Sequence, residues 1–186
     1  MQRFIRSVLI IMMSVMLFSC KKNLSSYTMP IHIVKGQRYY TQFVIRYEKN
    51  AFPTTNYRHD ASIPINTAVK LIDINSSEIS IEYGSAQPLL VKNIEKHTGD
   101  DVFHAFDKLF ALQPVNLAQF NSLERQQIDK GEVAVGMSKK AVLAAIGYPP
   151  ITETANLNAN SWVYWSTRFN RFIVNFKDNK VSDIVN

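Results

Sequence analysis

SWVYWSTRFNRFIVNFKDNKVSDIVN, residues 161–186, alternates apolar and polar side chains over much of its length. Successive side chains of a β-strand point to opposite faces, so apolar residues at every second position indicate half-buried strands. Trp162 and Tyr164 share one face of a first strand, and residues 171–176 carry the same alternation in a second. Asp178 and Asn179 form a tight turn into a third strand. The stretch therefore predicts a three-stranded antiparallel meander.

Two helices are predicted immediately before this meander. Residues 116–130 form the first helix, which Gly131 ends because glycine readily adopts the left-handed conformation of a C-cap. Ser138 is the predicted N-cap of a second, shorter helix, and Gly147 is predicted to end it as a left-handed C-cap. Pro149 and Pro150 then prevent any continuation. The predicted order of elements is helix, helix and three antiparallel strands.

This series of elements resembles the SmpA/OmlA (BamE-like) family of bacterial outer-membrane lipoproteins over roughly the last 55 to 70 residues. The matching positions are Gly136-Met137-Ser138, Val142, Gly147-x-Pro149, Trp162-x-Tyr164, Val174-x-Phe176, Val181 and Ile184. The resemblance implies a two-helix, three-stranded fold without enzymatic activity. It also implies an envelope protein as partner, plausibly the β-barrel assembly machinery, together with anionic phospholipid and a role in envelope integrity.

The first twenty residues resemble the signal peptide of a bacterial lipoprotein. Arg3 and Arg6 precede an apolar run, residues 8–18, that is too short to span a bilayer as a helix and has the length of a signal-peptide core. The run ends in Leu17-Phe18-Ser19-Cys20, which resembles a lipobox. The resemblance implies cleavage before Cys20, a diacylglycerol thioether on its sulfur and an acyl chain on the new N-terminus. No other cofactor is expected.

Cys20 is the only cysteine of the 186 residues. An intrachain disulfide and a cysteine-rich zinc module are therefore excluded. By resemblance to enterobacterial sorting rules, Lys21 after the cysteine favours the outer membrane, with the protein facing the periplasm. The net charge of +6 falls to +4 once Arg3 and Arg6 are removed, and export excludes ordinary nucleic-acid binding.

We expect an α+β chain with four segments. These are a signal peptide (1–19), a lipidated N-terminus and tether (20–34), a β-rich domain that ends in a helix (35–113) and the SmpA/OmlA-like domain (114–186). Aromatic and β-branched residues in 38–47, a run at 68–74 and strict alternation at 78–83 predict short strands. They indicate a small barrel or sandwich, and an SH3-like barrel is the form we expect.

The helix at the end of the β-rich domain is predicted to begin at Thr98, its N-cap, with Asp101 as a partial capping box. The chain also resembles envelope lipoproteins that carry a Thr-Asn-Tyr element in a β-rich domain ahead of this module. Thr55-Asn56-Tyr57 is the corresponding element.

One cluster has the composition of a catalytic or metal site: His97, Asp100, Asp101 and His104. We favour its interpretation as the solvated start of a helix with capping acids, because no His-x-x-x-His or Glu-x-x-His spacing accompanies it. The remaining histidines are isolated and the six glycines are scattered. No catalytic residue and no metal ligand is therefore predicted.

Candidate residues for binding a partner or lipid are basic and aromatic positions in the last fifty residues. They are Lys139, Lys140, Tyr148, Trp165, Arg168, Phe169 and Arg171. The basic residues could form one patch for acidic headgroups or an acidic partner, and the aromatic residues could be interface anchors. Two alternatives stay open: a periplasmic inhibitor or ligand-binding module, since the layout resembles β-lactamase-inhibitor domains, and an unrecognised cell-wall enzyme.

Overall fold

The computed structural model describes residues 29–186. The signal peptide, Cys20 and the tether up to residue 28 lie outside the described residues. Within 29–186 the chain has four α-helices and eleven strands, which confirms the predicted α+β class. None of the helices in this part of the chain has the length and apolar character needed to cross a membrane.

Eight short strands occupy the N-terminal part of the described chain. They are β1 (Arg38–Thr41), β2 (Ile45–Tyr47), β3 (Ala51–Pro53), β4 (Ala61–Ile63), β5 (Ala68–Ile74), β6 (Glu78–Tyr83), β7 (Gln87–Lys92) and β8 (Phe110–Ala111). Six of them form a sheet in the order β3-β7-β6-β5-β1-β8, and β2 pairs with β4. Only β3 and β7 pair in parallel. The edge strands β3 and β8 do not pair with each other within 29–186, so the sheet is open and the SH3-like barrel stays a prediction.

The aromatic run at residues 38–47 forms two strands rather than one. The backbone N–H of Gln42 donates to the carbonyl of Leu109 at 2.9 Å, which extends the pairing of β1 with β8 by one residue before the strand ends. After this break, Ile45 continues in β2 opposite Ile63. The alternation in β6 is confirmed, because Ile79 and Ile81 are buried.

Four α-helices and one 3₁₀ turn complete the elements. The helices are α1 (Glu95–Thr98), α2 (Val102–Leu109), α3 (Ser122–Lys130) and α4 (Lys139–Ile146), and the 3₁₀ turn is Leu117–Gln119. The predicted N-cap Thr98 is wrong: it ends α1, and Gly99 follows it in a left-handed conformation with φ +70°. The chain restarts as α2 with Asp101 as N-cap, whose carboxylate accepts the N–H groups of Phe103 and His104.

The helix predicted over 116–130 begins later than expected. Asn121 is its N-cap and forms a capping box with Glu124, so the α-helix covers only Ser122–Lys130. Gly131 ends it in a left-handed conformation and Ser138 caps α4, both as predicted. Gly147 ends α4 with φ +76° and ψ −163°, a region that glycine alone occupies at low cost, although it is not the left-handed helical cap that was predicted.

The predicted meander is confirmed. Strands β9 (Ser161–Trp165), β10 (Arg171–Lys177) and β11 (Lys180–Val185) form an antiparallel sheet in the order β11-β10-β9. Trp162 and Tyr164 are buried, as the alternation predicted, and so are alternate residues of β10. These side chains form a core with α3 and α4.

Two hydrophobic cores follow from this arrangement. One lies between the open sheet and α2, and the other lies between the meander and the helices α3 and α4. Val44 and Ile65 come from the N-terminal part of the chain but are buried in the second core. The two parts of the chain thus share apolar contacts, and the predicted domain boundary between residues 113 and 114 stays a prediction.

Candidate interaction surface

The loop between β9 and β10 is closed by short-range hydrogen bonds of its own residues. The N–H of Ser166 donates to the carbonyl of Asn170 at 2.8 Å. The hydroxyl of Thr167 accepts the N–H groups of Phe169 at 3.2 Å and of Asn170 at 3.1 Å. Such threonine turns fix a tight loop locally. We call residues 165–171, which contain this loop, the hairpin tip.

Phe169 projects from the hairpin tip with 83% of its surface exposed. The guanidinium of Arg168 lies 5.6 Å from the centroid of its ring. The ring is therefore open to solvent and has a cation beside it. The tip therefore presents an apolar and positively charged group at one point.

Trp165 and Arg171 form the base of the hairpin tip. They are cross-strand partners in the β9–β10 ladder, and the guanidinium of Arg171 lies 5.3 Å from the Trp165 ring. Arg171 also donates to the carboxylate of Glu153 at 3.0 Å. The indole N–H of Trp165 is buried and has no hydrogen-bond partner within 29–186. Trp165 is thus a partly buried support for the tip, and Arg171 is held in place by two neighbours.

Arg58 belongs to the same surface, although no sequence pattern pointed to it. Its backbone N–H donates to the carbonyl of Ser166 at 3.0 Å, and its guanidinium lies 3.9 Å above the ring of Phe172. Partial burial of the guanidinium and then the neighbouring Arg46 lower the pKa of Arg58, and Glu132 opposes them. No local pattern could reveal Arg58, because its partners lie more than a hundred positions further along the chain.

Lys139 and Lys140 lie at the other end of the β9–β10 hairpin, where Ser161 pairs with Asn175. We call this end the hairpin root. The ammonium of Lys139 donates to the carbonyls of residues 157, 158 and 159 at 3.1, 3.0 and 2.8 Å. It also lies 5.5 Å from the ring of Trp162. The Lys139 ammonium is therefore already hydrogen-bonded to the backbone of its own domain.

The predicted basic residues divide between the two ends of the hairpin, so a single basic patch stays a prediction. Lys140 donates to the side chain of Gln119 at 3.3 Å, which directs it toward the 3₁₀ turn. Trp165 follows Ser161 by four positions in β9, and a strand rises about 3.3 Å per residue, so root and tip are roughly 13 Å apart. Arg168 and Arg171 belong to the tip, and the two lysines belong to the root.

Tyr148 joins the two parts of the chain and does not project into solvent. Its ring packs edge-on against Phe43, with centroids 6.3 Å apart, and its carbonyl accepts the side-chain N–H of Asn56 at 2.7 Å. The ammonium of Lys108 lies 5.0 Å from the Tyr148 ring and pairs with Asp100 at 2.5 Å. Burial, and then Asp100, raise the pKa of the Tyr148 phenol.

The residues around Tyr148 line a cavity of about 180 Å³ between the β-rich part and the C-terminal part. Its walls are mainly apolar. Asp100 and Lys108 also line the cavity, and their charges are paired with each other. Asn56, the middle residue of the Thr55-Asn56-Tyr57 element, thus serves to hold the two parts together.

The cluster of histidines and acids near residue 100 does not converge on one point. Asp101 caps α2, and the backbone N–H of His104, followed by its side chain, lowers the pKa of the Asp101 carboxyl although burial opposes this. Asp100 faces Lys108 instead, and His97 lies 3.4 Å from the hydroxyl of Thr152. Residues 29–186 contain no group of three or more histidine, cysteine or acidic side chains that could hold a metal.

Comparison with known families matches the C-terminal part of the chain. Residues 121–186 match the family model of the outer membrane protein assembly factor BamE domain. The match begins at Asn121, the N-cap of α3, and includes α4, the meander and the whole hairpin tip. No curated protein and no solved structure matches the chain.

Proposed function

We propose that this protein is an outer-membrane lipoprotein that faces the periplasm, because residues 121–186 match the model of the BamE domain. Its BamE domain binds an envelope protein, and the partner we propose is a component of outer-membrane β-barrel assembly. The observation that carries the proposal is the exposed Phe169 at the hairpin tip, 83% accessible, within a domain of a family of assembly factors.

The hairpin tip has the chemistry of a protein-binding anchor. Burying one phenylalanine side chain contributes about 1.5–3 kcal/mol, enough to dominate a small interface. Arg168 beside Phe169 and Arg58 at the edge of the tip supply guanidinium groups, which bind carboxylates through paired hydrogen bonds. An apolar pocket flanked by acidic side chains is therefore the complementary surface. Anionic phospholipid presents the same negative charge to the arginines as an acidic protein surface does. The test must therefore distinguish a lipid from a protein partner.

The lipid anchor is supported by the sequence before residue 29. A thiolate is the nucleophile that thioether formation requires, and two or three acyl chains hold a protein on a bilayer stably. Metabolic labelling with palmitate tests this directly. We expect label on the wild-type chain and none on Cys20→Ala. An unlabelled wild type, or equal labelling of both chains, contradicts the anchor.

Site-specific photocrosslinking in intact cells tests the partner. A photoreactive amino acid at position 169 should give an adduct that mass spectrometry identifies as a β-barrel assembly protein. The matched control is position 135, where Val135 is also apolar and 57% exposed but lies outside the hairpin tip. Adducts with lipid alone, with a soluble hydrolase, or with the same protein from both positions contradict the proposal.

A further inference from the structure

The start of the described chain displays aliphatic side chains on a rigid turn. The N–H of Ile33 donates to the carbonyl of Pro30 at 2.9 Å and closes a β-turn. Ile31 occupies the second position of this turn with 96% of its surface exposed, while Ile33 is buried. Turn positions of this kind usually carry polar residues or proline, so a protruding isoleucine here is not explained by the fold.

Several contacts fix this segment to the β-rich core. The hydroxyl of Tyr39 donates to the carbonyl of His32 at 2.7 Å and accepts the N–H of Val34 at 2.8 Å. The ring of His32 contacts the carboxylate of Asp107 at 2.7 Å. Because His32 and Val34 are held directly after Ile31, and the carbonyl of Pro30 before it closes the turn, the isoleucine is presented outward.

Ile31 is part of a continuous apolar groove. The groove is lined by Met29, Pro30, Ile31, Ile33, Val34, Lys35 and Ile74. Val34 is 48% exposed, so at least two aliphatic side chains are open to solvent there. The neighbouring carboxylates are paired, Asp107 with His32 and Asp73 with Lys35. The surface is therefore aliphatic and carries no unpaired acid that anionic headgroups would repel.

We propose that this groove, with Ile31 at its summit, rests on the membrane and fixes the orientation of the protein on the bilayer. The proposal rests on the lipid anchor of the proposed function. Met29 follows Cys20 by nine positions, so the groove can lie no more than about 30 Å of extended chain from an acylated Cys20. A surface with two exposed aliphatic side chains, tethered at that distance, inserts them into the headgroup region.

The test uses cysteine labelling of the full-length chain after processing. In the wild type an acylated Cys20 has no free thiol, so Ile31→Cys introduces the single labelling site. The lipoprotein is labelled with an environment-sensitive fluorophore. It is then reconstituted in vesicles of phosphatidylethanolamine and phosphatidylglycerol that contain a nitroxide lipid. Val135→Cys is the matched control, since Val135 is also apolar and exposed.

We expect the emission of the fluorophore at position 31 to shift to shorter wavelength. We also expect the nitroxide lipid to quench it at least about threefold more strongly than the fluorophore at position 135, because the labelled side chain inserts several ångströms into the bilayer. Label on the wild-type chain would show a free Cys20 and would overturn the anchor together with the contact. Equal and weak quenching at positions 31 and 135, in chains that take up a single label, would overturn the membrane contact alone.

Discussion

The two ends of the β9–β10 hairpin carry similar residues and use them in opposite ways. At the root, the ammonium of Lys139 is surrounded by three backbone carbonyls within 3.1 Å. At the tip, Phe169 and its neighbour Arg168 face outward. A cation or an aromatic ring is thus available to a partner only where the surrounding backbone leaves no acceptor or pocket for it. The root should therefore respond to mutation through stability, and the tip through binding.

The largest expected effect is at Gly147, which precedes Tyr148 and whose carbonyl accepts the hydroxyl of Tyr164 in β9. Its φ is +76°, and an added Cβ would lie 2.6 Å from Cε2 of Phe43 and 3.0 Å from Nδ2 of Asn56. Gly147→Ala combines backbone strain with this clash, so we expect a loss of about 3 kcal/mol in the free energy of unfolding. Urea denaturation measures it.

Gly136→Ala is the matched control for this prediction. Gly136 also has a positive φ, +94°, but an added Cβ would meet only Cδ2 of Leu123 at an ordinary 3.5 Å. We expect a loss of about 1 kcal/mol from the backbone alone. Equal losses in the two variants would show that the close approach of Phe43 to Gly147 adds nothing to the cost of the backbone conformation. The packing of the two parts against each other at this point would then not depend on glycine.

Glu124 comes next, because it ties α3 to α4 near the root. Its buried carboxylate accepts the N–H of Asn121 at 3.0 Å and the N–H of Ser138 at 2.8 Å. Burial opposes the charge, but these hydrogen bonds and the nearby Lys180 outweigh it and lower the pKa of Glu124 below its usual 4.5. A carboxyl group with a lowered pKa stabilises the fold above its unfolded pKa, and this contribution is lost as the pH falls through the folded value.

We therefore expect Glu124→Gln to cost about 2 kcal/mol at pH 7, and less as the pH is lowered below about 4.5. Urea denaturation at a series of pH values measures both effects. Glu95→Gln, at an exposed position in α1, is the control and should change stability by less than about 0.5 kcal/mol. A loss at Glu124 that stays constant down to pH 3 would contradict a charged carboxylate at this site.

The elements of residues 121–186 could be predicted because their signals are local. The alternation of Trp162 and Tyr164, the serine at position 138 and the glycine at position 131 each determine structure within a few neighbouring residues. Thr98 was misassigned as a helix start for a local reason too. Gly99 interrupts the helical pattern with a positive φ, so the cap moved three positions to Asp101.

The interaction surface could be predicted only in part, because burial depends on segments distant in sequence. Phe169 is exposed, as an anchor should be, but Tyr148 is covered by Phe43 and Asn56 from the β-rich part. Lys139 meets carbonyls some twenty positions away, and Arg58 reaches the tip across more than a hundred. No pattern in a single segment reports such contacts.

Lys139 itself gives the next prediction. Lys139→Met keeps an aliphatic side chain against Trp162 but removes the donor for three carbonyls. We expect a loss of about 1 kcal/mol in the free energy of unfolding, since part of each lost hydrogen bond is replaced by water. Lys140→Met, which removes only the contact with Gln119 at 3.3 Å, should change stability by less than about 0.5 kcal/mol. Equal effects would mean that the root does not depend on the Lys139 cation.

The smallest expected effect on stability is at the tip. Phe169 is 83% exposed, so Phe169→Ser removes almost no buried surface and should leave the free energy of unfolding within about 0.5 kcal/mol of the wild type. The same variant should weaken binding of the identified assembly partner about tenfold, because the anchor is then lost from the interface. Purified variant and partner give this value by calorimetry, with Val135→Ser as the control. If Phe169→Ser instead destabilises the fold as much as Lys139→Met and binds as well as the wild type, the tip is structural like the root, and the contrast between the two ends disappears.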